Sequence, residues 1–217
     1  MDMKKTLYSL MLNDEVVREV DALAHRLGTN RSNLINQILA EYVNYTTPER
    51  RINDVLSAIQ QLMAPSPELV PFFAPNSYSM SLKSSLEYKY RPTVKYEVEL
   101  YKTGDTSIGE LSVVFRTQSA ALISAMTDFF RLWKAIEEAH LQPATGLPVT
   151  YALFDGKFVR SISVPDRECT SDQLASCISE YIKLFDKLMK NYLAGRLDAH
   201  EIEAAYYSHM INAPIHI

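Results

Sequence analysis

The sequence predicts an α+β chain in two parts: a short strand with two helices, then a two-layer domain of antiparallel sheet plus helices. Three observations predict it. Apolar residues recur at helical spacing from Val16 to Leu27 and again from Leu34 to Val43. From Leu82 onward the apolar period becomes two, which marks strands with one buried and one wet face. Between these regimes lie Ala64-Pro65-Ser66-Pro67 and Pro71-Phe72-Phe73-Ala74-Pro75-Asn76, a stiff, non-helical connection. The expected divisions are 1–46 for the first module, 47–77 for a helix and proline-rich linker, and 78–217 for the second domain.

Thr6-Leu7-Tyr8-Ser9-Leu10-Met11-Leu12 reads as the strand. Asn13 offers a cap, and Asp14 and Glu15 complement the helix dipole in the first turn. Val16, Val17, Val20, Leu23, Ala24 and Leu27 form the apolar stripe of the first helix, and Gly28 sits where a left-handed C-terminal glycine belongs. Asn30 caps a second helix with Leu34, Ile35, Ile38, Leu39, Tyr42 and Val43 on one side. A module of about 40 residues is too small for an independent core, and its lone strand has two unpaired edges. Pairing two copies removes both problems, so dimerisation is expected to be part of folding.

The run Tyr8-Ser9-Leu10-Met11-Leu12-Asn13-Asp14-Glu15, followed by Gly28-Thr29-Asn30-Arg31-Ser32-Asn33-Leu34-Ile35, resembles the ribbon-helix-helix family of Arc-, MetJ- and CopG-type repressors. The Gly-x-(Ser/Thr/Asn)-Arg-Ser turn into a helix carrying Leu-Ile is its specific part. The resemblance implies a homodimer whose paired strands enter the major groove of double-stranded DNA, with alternate strand residues facing the bases. Leu10 and Leu12, with Tyr8, then point inward, and Leu7, Ser9 and Met11 face the bases. Family members usually carry Arg, Lys, Gln, Asn or Thr there, matching base donors and acceptors. Here Ser9 alone forms hydrogen bonds, and Leu7 and Met11 offer contact only to thymine methyl groups. The phosphate contacts implied are the backbone amides near Asn30, Arg31 and Ser32, with Lys4 and Lys5 at the start of the ribbon.

Thr47 as cap and Pro48 at the first helical position open a third helix, with Ile52, Val55, Leu56, Ile59 and Leu62 on its apolar face. In the second domain Leu82, Leu86, Tyr88 and Tyr90, then Val94, Tyr96, Val98 and Leu100, then Leu111, Val113 and Phe115, give three alternating strands. A helix follows through Leu122, Met126, Phe129, Trp133 and Ile136. Asp155-Gly156 signals a hairpin between Tyr151–Phe154 and Lys157–Val159. Thr170 and Gln173 form a capping box for a helix running to Gly195, and a last helix spans about 199–211. The expected order of this domain is therefore β-β-β-α-β-β-α-α.

Composition excludes more than it assigns. No apolar run reaches the ~18 residues of a membrane span, and the first residues lack the apolar region of a signal peptide, so a cytoplasmic protein with no membrane partner is expected. Cys169 and Cys177 are too few for a disulfide framework. The net charge of -4 is unusual for a DNA binder, and residues 1–63 hold seven basic side chains against eight acidic ones. Steering must then come from local placement.

Catalytic and metal chemistry find no motif. His200, His209 and His216 match no zinc spacing, and His25 and His140 have no ligand-spaced companion. Cys177 shares a helix face with Leu174, Ile178 and Tyr181, which favours a core thiol over a Cys–His nucleophile. The sheet tyrosines with Phe129, Phe130 and Trp133 read as core more readily than as a ligand pocket. No enzyme, cofactor or metal is expected. The function expected is a homodimeric transcriptional regulator, a repressor-type DNA binder with a sensing or oligomerising second domain. The alternative is a ribbon used only to dimerise a protein-interaction module.

Overall fold

The computed structural model describes residues 6–73, 78–87 and 91–217. The described residues form six helices and one six-stranded antiparallel sheet, in two compact units, Met1–Arg51 and Ile52–Ile217. No described helix is long and apolar enough to cross a membrane.

In the first unit, α1 (Asp14–Arg26) starts where the Asn13 side chain accepts from the Glu15 amide at 3.1 Å. It ends at Gly28, which has a φ of 63°. There the Thr29 amide donates to Ala24 O at 2.9 Å and the Gly28 amide to His25 O at 3.2 Å, a Schellman closure. A Cβ added to Gly28 would meet nothing within 4 Å, so only backbone strain opposes a side chain. Gly28→Ala should therefore cost about 1 kcal/mol, seen as a roughly fivefold loss of amide-exchange protection in the two helices it joins. Helix α2 (Arg31–Tyr42) is capped by Asn30, whose Oδ1 accepts from the Asn33 amide at 2.9 Å. It closes in the same way at Asn44, where φ is 53° and the Tyr45 amide donates to Ala40 O at 2.7 Å.

The expected strand over 6–12 is not formed: residues 6–13 are neither helix nor strand. A ladder needs a hydrogen-bonded neighbour, and none of the sheet's six strands comes from this segment. A ribbon-helix-helix arrangement is thus absent from the single chain.

Helix α3 (Pro48–Met63) crosses the division between the units, and its first turn carries a Thr47 Oγ1 acceptor for the Arg50 amide at 3.2 Å. The expected boundary in the proline-rich connection is corrected by two facts. Ile52, Val55, Leu56, Ile59 and Met63 are buried in the core of the second unit. Val70–Phe73 is a strand, β1, pairing antiparallel with β2 (Ser79–Ser85) in the register Val70↔Lys83. Pro71 is tolerated because β1 is an edge strand, where a missing donor breaks no inner ladder.

The sheet runs β1-β2-β3-β4-β6-β5, with β3 at Thr93–Leu100, β4 at Ser107–Phe115, β5 at Tyr151–Phe154 and β6 at Lys157–Ser163. The β5–β6 hairpin turns at Asp155-Gly156, as the sequence predicts, with Gly156 at φ 74°. Tyr88 and Tyr90, assigned by alternation to the first strand, lie outside the described residues. Cross-strand partners Leu82, Tyr96, Val113 and Phe158 share one face of the sheet and are all fully buried. That face meets α4 (Ala120–Thr145) and α5 (Ser171–Leu193) through aromatic rings: Phe158 stacks on Phe130 at 5.3 Å and Tyr96 meets Phe185 edge-on at 6.1 Å. Helix α5 opens with the Thr170–Gln173 capping box. Helix α6 (Ala199–Asn212) opens with a second one, Asp198–Glu201, and its Tyr206 ring lies 5.3 Å from Trp133.

Candidate functional site

The first unit has finished local structure and almost no core. Of α1 and α2, only Ala24, Leu34 and Ala40 are buried. Ile38, Leu39, Tyr42 and Val43 of the α2 stripe are exposed, as is Leu27. The segment before α1 shows a graded exposure: Leu7 and Met11 are fully exposed at 99% and 102%, whereas Leu10 and Leu12 are at 55% and 42%. Tyr8, expected to point inward with Leu10 and Leu12, is 81% exposed, so the values do not follow the strict two-residue alternation of a paired strand. Ser9 is exposed with Leu7 and Met11. The three residues expected to face bases are exposed, as are their neighbours in the segment.

The expected phosphate contacts fare unevenly. Lys4 and Lys5 lie outside the described residues. Asn30 uses its side-chain oxygen as the α2 cap, so its amide group is held at the helix start. The Arg31 and Ser32 amides occupy the first turn, where a helix has no internal acceptor for them. The Arg31 guanidinium does not project freely: its Nε donates to Asp21 Oδ1 at 2.6 Å and its Nη2 to Asp21 Oδ2. That hydrogen-bonded pairing holds the Asp21 carboxyl below its ordinary value. It ties the start of α2 to α1. A phosphate at this turn would meet backbone amides first, with Arg31 shared with Asp21.

The second unit contains a buried polar cluster that sequence reading missed. Arg160 on β6 is 1% exposed and Glu137 on α4 is 0% exposed. Arg160 Nε donates to both Glu137 oxygens at 3.1 Å, Nη1 to Ser161 O at 3.1 Å, and Nη2 to Ile217 O at 2.5 Å. The guanidinium also lies over the Tyr181 ring, 4.6 Å from its centre. Trp133 Nε1 donates to the Tyr181 hydroxyl at 2.7 Å, and the Tyr206 hydroxyl makes a long bond of 3.4 Å to Glu137. Burial and then the Glu137 charge push the Tyr181 phenol well above its ordinary value, so it stays neutral. A second chain runs from the buried Tyr96 hydroxyl to Asp186 at 2.9 Å and on through Lys190, 2.7 Å from both Asp186 and Glu68.

The cysteines and histidines assemble no reactive centre among the described residues. Burial pushes the Cys177 thiol up to about 11, and its Sγ donates to Ile215 O at 3.3 Å. A thiol so held is mostly protonated at neutral pH, which lowers its nucleophilicity. His216 sits on Asp166 at 3.0 Å through Nδ1 and on Met210 O at 3.0 Å through Nε2. No described group of three His, Cys, Asp or Glu residues is arranged to hold a metal ion.

Comparison with protein-family models, with curated proteins and with solved structures finds no match to this chain.

Proposed function

We propose that the chain works as a homodimer whose 6–12 segments pair into a two-stranded ribbon that enters the major groove of DNA, and that it regulates transcription there. The observation that carries this reading is the first unit's contrast between complete caps and turns and a missing core. Apolar side chains left open on α2 and on the even positions of the N-terminal segment are what a second copy would cover, and two unpaired segments supply each other's ladder. The Arg31 and Ser32 amides then face phosphate at a helix N-terminus. Ser9 offers the single hydrogen-bonding group to base edges, flanked by Leu7 and Met11.

An apolar base-facing set is suited to thymine, whose C5 methyl is the apolar feature of the major groove. Binding of purified protein to fragments of its own genome at two salt concentrations tests the reading. Enrichment of a repeated or palindromic site, weakened by salt and by Ser9→Ala, is the expected result. Replacing thymine by uracil in that site should weaken binding roughly fourfold for each methyl group lost, at about 0.8 kcal/mol apiece.

Two observations favour a second reading, in which the ribbon is a dimer clasp for a protein-interaction module: the full exposure of Leu7 and Met11, and the pairing of Arg31 with Asp21. No retention of any fragment at low salt would select it.

A further inference from the structure

The second unit holds a cavity of about 810 Å³ bounded by α5, α6 and the irregular segment 213–217. Its wall is mainly apolar, including Leu141, Leu184, Leu188, Met210 and Ile217. The volume lies in the range of small-molecule sites, which combine apolar walls with few polar groups.

Arg160 forms part of that wall. A guanidinium has five N–H donors. The contacts of Arg160 to Glu137, Ser161 O and Ile217 O engage all three of its nitrogens, and the side chain is 1% exposed, so it closes the cavity floor rather than reaching into it.

The charge of the wall cancels. Arg160 is matched by Glu137 at 3.1 Å, Arg167 by Asp166 at 3.5 Å and Glu180 by Lys183 at 3.0 Å, while Lys187 and Glu168 oppose each other in sign. Burial lowers the His209 imidazole below its ordinary value, which favours its neutral form. An anion would find no surplus cation, and an ammonium group no surplus carboxylate.

We propose that this cavity binds an uncharged, mostly apolar small molecule, with its apolar body between α5 and α6. The site does not depend on what the first unit does.

The single tryptophan, Trp133, is bonded to Tyr181, whose ring lines the cavity, and so provides an internal reporter. The test uses the full chain and 6-propionyl-2-dimethylaminonaphthalene, a neutral naphthyl ketone, against the anionic 8-anilinonaphthalene-1-sulfonate. The ketone is expected to bind saturably, once per chain, with emission sensitised by Trp133, and at least tenfold tighter than the sulfonate. Ala205→Phe, which fills the cavity from α6, should weaken ketone binding at least tenfold with circular dichroism unchanged. Ser208→Phe, at the exposed rim, provides a second filling variant should Ala205→Phe fail to fold. Non-saturable uptake overturns the proposal. So does equal or tighter binding of the sulfonate, or ketone binding undiminished in a folded filling variant, which would place the dye on the open apolar surface of the first unit.

Discussion

Leu10→Asp should convert the proposed dimer to a monomer, while the second unit remains folded. Leu10 is half exposed in the single chain, less than Leu7 or Met11. In the proposed ribbon it faces its symmetry mate, so each dimer loses two buried leucines. At about 1.5–3 kcal/mol for each side chain, and with two carboxylates placed where water is excluded, the dimer dissociation constant should rise at least about a hundredfold. Sedimentation equilibrium reads this directly. Met11→Asp is the matched control: Met11 is fully exposed, so the same charge one residue on should leave the dimer intact and abolish DNA binding. If both variants dissociate, or neither does, the alternation assigned to this segment is wrong.

The second large effect belongs to Glu137. Its carboxylate is wholly buried and answers the buried Arg160 guanidinium through two hydrogen bonds of 3.1 Å. Glu137→Ala leaves that cation inside the unit without its counter-charge, a change that typically costs 3–5 kcal/mol. For a unit of this size each kcal/mol moves the midpoint by roughly 2–4 °C, so a fall of roughly 6–20 °C is expected by calorimetry. The double variant Glu137→Leu, Arg160→Met should recover most of the loss, because removing both charges removes the desolvation cost with the attraction. A single variant within about 1 kcal/mol of the parent would show that water reaches the pair.

The local grammar of the fold was legible in particular residues. Asn13, Asn30 and the Thr170–Gln173 pair cap the helices they were expected to cap, and Asp155-Gly156 turns the hairpin. These signals are short-range, and each is complete within a few residues. The edge strand β1 was hidden because prolines argue against strands, and only the pairing of Val70–Phe73 with β2 reveals it. The Arg160–Glu137 pair was hidden for another reason: its members are remote in sequence, and periodicity carries no information on partners. A signal existed nonetheless. Glu137 sits on the α4 stripe between Trp133 and Leu141, and Arg160 sits between Phe158 and Ile162 on the buried parity of β6. One charge of each sign on otherwise apolar faces predicts that they meet. The proposed N-terminal ribbon would lie outside the fold of a single chain, since its hydrogen-bond partner would be another molecule.

The lengths of the strands have a consequence for how copies of this protein can gather. The two outermost strands, β1 and β5, have four residues each, against seven to nine in the strands between them, and β1 also carries Pro71. Short or proline-bearing margins are poor templates for a neighbour's backbone. The large sheet is thereby guarded against open-ended stacking into fibrils, even in a crowded cell. In the proposed dimer, self-association would run instead through the N-terminal segments, where a twofold pairing closes on itself.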